Sequence, residues 1–150
     1  PKFQPSLSKY KNLIEKQLRP KARKDIIEFF NSNKIKPNSM IDISDGLSSE
    51  LFHISNSSNL GFKIFEEKLP ISDEVISISE ELNIKYLDAA LNGGEEYELL
   101  FSLPISVYEK LKLDGIEITP LGHFTESNKK VLVLKDGKEI NMESKGWNHF

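Results

Sequence analysis

The sequence predicts an α/β (α+β) domain in which helices cover a mixed β-sheet. Three observations point there: apolar residues recur at helical spacing in some stretches, they alternate with polar ones in others, and the two kinds of stretch interleave along 150 residues. With 38% hydrophobic residues, that length buries one real core and leaves no room for a second substantial domain. Residues 1–150 are therefore expected to form a single unit, with a helical lead-in over 1–38 and a sheet-and-helix body over 39–150.

In the lead-in, Leu7, Tyr10, Ile14 and Leu18 share one helical face over residues 6–18, with Lys9, Lys11 and Lys16 outward, and Pro20 ends the pattern. Ala22, Ile26, Phe29 and Phe30 repeat it, and Asn31-Ser32-Asn33 followed by Lys36-Pro37-Asn38 makes a loop. Met40 to Ser44 alternates as a half-buried strand does, placing Ile41 and Ile43 on one side and Asp42 and Ser44 on the other. Asp45-Gly46 then turns the chain into a helix carrying Leu47, Leu51 and Ile54.

Phe62 to Phe65 reads as a second strand, Pro70 as a break, and Ser72-Asp73-Glu74 as the acidic start of a helix with Val75, Ile76 and Leu82. Tyr86 to Leu91 suggests a short helical turn and Tyr97 to Leu103 a strand; Ser106 to Leu113 suggests a helix ending at Asp114-Gly115. Ile116-Glu117-Ile118-Thr119 alternates again. Lys130 to Leu134 and Lys138 to Met142 flank Asp136-Gly137, a signal for a tight hairpin.

Composition narrows the function. A net charge of -3 gives no global attraction to nucleic acid or to an anionic membrane. The absence of cysteine excludes disulfides, thiolate metal ligands and thiol catalysis, and suits a reducing cytoplasm. No apolar run approaches the roughly 20 residues of a membrane span, and PKFQPSLSKYK contains no signal-peptide core, so the chain reads as soluble and cytoplasmic. A start at Pro1 suits a processed protein or a piece of a longer one. Neither a Walker A loop nor a G-x-G-x-x-G fingerprint is present, and His53, His123 and His149 have no metal-ligand spacing.

Two short stretches carry the candidate chemistry. In IDISDG, Asp42 and Ser44 face one way and the turn brings Asp45 close, at the start of a helix. Asp45 either caps free N–H groups there or joins Asp42 and Ser44 as oxygen donors for a magnesium ion bridging to phosphates. In NGGEEY, the acids are either solvated turn residues or include a ligand contact, Glu95, beside glycines that permit close backbone approach. The basic set Lys16, Arg19, Lys21, Arg23 and Lys24 is a solvated helix surface or an anion site, with Arg23 the candidate. Trp147 is a terminal core anchor or a platform for a flat heterocycle.

Taken in order, MIDISDGLSSELFHI, LPIS, LNGGEEYELLFSLP and DGKEINMESKGWNHF resemble the C-terminal half of bacterial thiamine-monophosphate kinases, over nearly the whole chain. QLRPKAR resembles that family's interdomain region, with Ala22 where a second proline is frequent. The family belongs to the aminoimidazole ribonucleotide synthetase superfamily, along with selenophosphate synthetase and a hydrogenase maturation factor that ends in a cysteine this chain lacks. The resemblance implies the C-terminal domain of that fold, and transfer of the ATP γ-phosphoryl group to thiamine monophosphate, giving thiamine diphosphate and ADP with Mg2+.

By resemblance, Asp42 and Asp45 are magnesium ligands, Ser44 contacts ATP, and Glu95 and Trp147 contact thiamine phosphate. No residue stands out as a general base. The family's N-terminal domain, which carries most of the ATP and metal site and forms its homodimer, has no counterpart here, so these residues alone are expected to be inactive. Two alternatives remain open: a superfamily enzyme acting on another small molecule, and a non-catalytic binding module.

Overall fold

The computed structural model describes residues 7–111 and 116–143. A 3-10 turn, Leu7–Tyr10, opens into α1, Lys11–Leu18, and α2 follows over Lys24–Ser32. Then come β1, Ser39–Asp42; α3, Leu47–Ser58; β2, Gly61–Phe65; α4, Asp73–Glu81; and α5, Tyr86–Asn92. The rest are β3, Leu99–Ser102; α6, Ile105–Leu111; β4, Gly122–Thr125; β5, Lys130–Val133; and β6, Glu139–Asn141.

The strands divide between two sheets. β1 and β3 form an antiparallel ribbon, with Ser39 opposite Ser102 and Asp42 opposite Leu99. The other sheet runs β4-β2-β5-β6 and is mixed: β2 is antiparallel to β4 and parallel to β5, while β5 and β6 are antiparallel. The expected mixed sheet is therefore present, with the IDISDG strand held apart from it on the ribbon.

The buried apolar side chains gather in two clusters, with Leu100 of the ribbon packing against the one on the mixed sheet. On the mixed sheet, Phe62, Ile64 and Leu132 meet Leu47 and Leu51 of α3 and Leu91 of α5. On the ribbon, Ile26 and Phe30 of α2 meet Leu111 of α6, with Met40, Leu99 and Phe101 packed against them. The Phe30 and Phe101 rings meet edge to face at 5.1 Å, and truncating such a buried ring costs about 3–5 kcal/mol. Between the layers runs α3, whose first turn, Leu47 to Glu50, is wholly buried.

Several elements match the sequence reading. Ser72 caps α4 by accepting the Val75 N–H, and Asp136-Gly137 closes the β5–β6 hairpin with Gly137 at φ +83°. Other elements differ. Leu18 is 74% exposed, so the apolar face of the first helix ends short of its last turn, and Ala22 precedes α2. Ile116 and Ile118 pack against the ribbon core with Glu117 and Thr119 outward, yet no ladder partner makes that segment a strand. The structure instead adds β4, whose Gly-His-Phe-Thr pattern carries little alternation. Asp114-Gly115 lies outside the described residues.

Candidate functional site

Beyond Asp42 the ribbon continues as a clasp between the two motifs. Ile43 N–H donates to the Glu98 carbonyl at 2.8 Å, Tyr97 N–H to the Ile43 carbonyl at 2.9 Å, and Glu95 N–H to the Ser44 carbonyl at 2.7 Å. IDISDG and NGGEEY are therefore one composite loop pair. Gly94 serves this contact, since a Cβ there would stand 2.6 Å from the Ser44 carbonyl oxygen, whereas one on Gly93 would stand 2.5 Å from the Ala89 carbonyl oxygen of α5, the helix that Gly93 ends. From the opposite side Gly46, at φ +113°, lies against Asn92 and Gly93, where a Cβ would meet main-chain atoms at 3.1 Å. Close backbone approach is thus what the glycines provide, and the surface approached is the chain's own.

Clasping forces unusual backbone. Glu95 and Tyr97 sit at φ +63° and +52°, a left-handed region that non-glycine residues enter at a cost and that frequently accompanies function. Glu95 is exposed, and its Oε2 accepts a hydrogen bond from Gln17 Nε2 on α1 at 2.9 Å.

Ser44 and Asp45 line an open concavity of about 580 Å³ between β1 and α3, together with Glu50, His53 and Ser57. Asp42, at the exposed end of β1, is not among its lining residues. Asp45 does not cap α3 with its side chain: Gly46 occupies the cap position, and no side-chain bond is made there. The bond runs the other way, with the Asp45 N–H donating to Oε1 of Glu50 at 3.2 Å. Sequence reasoning passed over Glu50, although an acid in the first turn of a helix, able to reach back to the preceding N–H groups, is a recognisable capping pattern.

Among the described residues, no three His, Asp or Glu side chains gather into a ready-made cage. Magnesium can be held by one or two protein carboxylates, with phosphate and water oxygens completing its shell. Asp42 and Asp45 are both exposed oxygen donors on one short stretch, and of the two only Asp45 lines the concavity.

Arg23 is already engaged. Its guanidinium grips Asp25 through Nε and Nη2, and its Nη1 reaches Glu98 at 2.5 Å. Asp25, then Glu98, raises its pKa further above the ordinary arginine value, and Asp25 is held below the usual carboxylate range in return. The structure thus gives Arg23 carboxylates in place of a free anion site. Trp147 and His149 lie outside the described residues; His53 and His123 stand on α3 and β4.

The two-sheet fold places the chain in a structural class that includes the E. coli hydrogenase maturation protein HypE, at a TM-score of 0.62 and 18% identity, a likeness of fold alone. No family model matches the chain. Closer likeness is to thiamine-monophosphate kinases. The Aquifex aeolicus kinase is 35% identical over 138 residues, covering 92% of this chain and 41% of its own length. That of Pyrococcus abyssi is 38% identical over 139 residues, covering 91% of this chain and 42% of its own. Among solved structures, AaThiL complexed with AMPPCP and TMP superposes with a TM-score of 0.74 at 32% identity, covering 99% of this chain and 43% of that one. The chain is a relative of the thiamine-monophosphate kinases, and it spans about two fifths of the length of the curated relatives it matches.

Proposed function

We propose that these residues form the C-terminal, substrate-contacting domain of a thiamine-monophosphate kinase. The observation that carries the reading is the clasp: the Ser44 and Glu95 loops form one unit, in a chain whose solved relative was captured with AMPPCP and TMP.

In the proposed reaction a phosphate oxygen of thiamine monophosphate attacks the γ-phosphorus of ATP in line. A new P–O bond forms, the bond to the β–γ bridging oxygen breaks, and thiamine diphosphate and ADP leave. The attacking phosphate is already largely anionic near neutral pH, so no general base is required, and orientation with charge neutralisation does the work.

Ser44 offers its hydroxyl to ATP, while Asp42 and Asp45 would hold Mg2+, which screens phosphate charge when bound. Glu95 accepts hydrogen bonds from the aminopyrimidine, and Trp147 stacks on the flat cationic ring system of thiamine. The remaining ATP and metal contacts, and the homodimer contact, belong to an N-terminal domain of the whole protein. The absence of cysteine from these 150 residues supports placing the kinase in the reducing cytoplasm.

The test is the full-length protein with Asp45→Asn, followed by magnesium-dependent formation of thiamine diphosphate. Turnover is expected to fall strongly and to need more magnesium. Unchanged turnover at unchanged magnesium removes Asp45 from the metal role.

A further inference from the structure

We propose that Gln17 is a positioning residue for Glu95, so that the lead-in helix α1 helps to set specificity for thiamine monophosphate. The inference rests on the reading of Glu95 as a thiamine contact and adds a residue to it.

α1 is fixed at its far end. Tyr10, just before it, is 1% exposed; Lys9 pairs with Glu81 of α4, and Asn12 Nδ2 donates to Glu74 Oε1 at 3.1 Å. At its other end the helix has little apolar hold, since α1 has no buried residue and Leu18 is 74% exposed. There Gln17 Nε2 donates to Glu95 Oε2 at 2.9 Å, across 78 residues of sequence.

The chemistry of this bond favours orientation over obstruction. A carboxylate has roughly four lone-pair sites, and one amide N–H occupies one of them, leaving Oε1 open to a ligand. A neutral donor also leaves the full negative charge on Glu95. The neighbouring Glu98 differs: it is paired with the Arg23 cation. Within one segment, then, one carboxylate is neutralised and the other is held in place but left anionic, as recognition of a cationic, amine-bearing ligand requires.

The experiment compares Gln17→Met, Glu95→Ala and the double variant in the full-length protein, by steady-state kinetics and thermal unfolding. Gln17→Met is expected to raise KM for thiamine monophosphate roughly three- to tenfold, with kcat, KM for ATP and Tm unchanged. The double variant is expected to match Glu95→Ala, because the pair acts as a unit. If Glu95→Ala leaves KM for thiamine monophosphate unchanged, the reading of Glu95 fails. If Glu95→Ala raises that KM but Gln17→Met does not, or if the two effects multiply in the double variant, the role of Gln17 is overturned.

Discussion

The main-chain carbonyl of Ser44 accepts the N–H of Glu95 at 2.7 Å, so the proposed ATP contact and the proposed thiamine contact meet across one backbone hydrogen bond. Gly94 makes that approach possible. A methyl group on Gly94 would press on a carbonyl oxygen that no side-chain rotation can move. Gly94→Ala is therefore expected to cost about 1–3 kcal/mol of stability and to raise KM for both substrates. Gly137→Ala is the control: at φ +83° with open space around it, it costs about 1 kcal/mol and leaves kinetics unchanged. Equal behaviour of the two variants in thermal unfolding and kinetics would show the clasp to be dispensable.

Glu50, 2% exposed, holds the Asp45 N–H from beneath the turn. Glu50→Ala removes the acceptor and should destabilise by about 1–3 kcal/mol in urea unfolding, whereas Glu50→Gln keeps an oxygen there and should cost under about 1 kcal/mol. Similar losses for both variants would argue that charge, and not the hydrogen bond, is what matters.

Arg23→Met breaks the pairs with Asp25 and Glu98. Both partners are about half exposed, so the expected loss is about 1 kcal/mol or less, with KM for ATP unchanged. A roughly tenfold rise in that KM would instead identify Arg23 as a phosphate contact.

Acid should loosen the contact between the hairpin and α5. Glu66, 9% exposed, accepts the Tyr86 hydroxyl at 2.5 Å and the Lys135 N–H at 3.0 Å, and these bonds, Tyr86 first, hold its pKa below the ordinary glutamate value. The native state thus favours the ionised form. The stability Glu66 supplies is present above the unfolded glutamate value of about 4.3 and disappears as pH falls through the lower folded value. Glu66→Gln should flatten that acid limb of the unfolding free energy, and an unaltered limb would rule the contact out.

A protein of these 150 residues alone is expected to form no thiamine diphosphate, since it spans about two fifths of its kinase relatives. Turnover by the isolated chain, measured with ATP, magnesium and thiamine monophosphate, would overturn the assignment of the remaining contacts to another domain.

Local pattern carried much of the fold. Ser72-Asp73-Glu74 names its own helix start because a cap is satisfied within one turn, and Asp136-Gly137 names its hairpin because the corner needs φ above zero and glycine supplies it. Ile116 to Thr119 misled because alternation reports burial of one face, whereas a strand also needs a neighbour to accept its hydrogen bonds. β4 escaped notice because its pairing with β2 rests on backbone bonds that Gly-His-Phe-Thr does little to advertise.

By itself the sequence determined most of the elements, the two motifs and their acids, because capping, periodicity and turn chemistry act over a few residues. Tertiary structure decided what those motifs do to each other. Gly94 meets Ser44 across 50 residues of chain and Gln17 meets Glu95 across 78, and contacts made at such separations are set by how α1, the ribbon and α3 pack. Side-chain pattern says nothing of a glycine that is needed because another stretch of backbone runs directly against it.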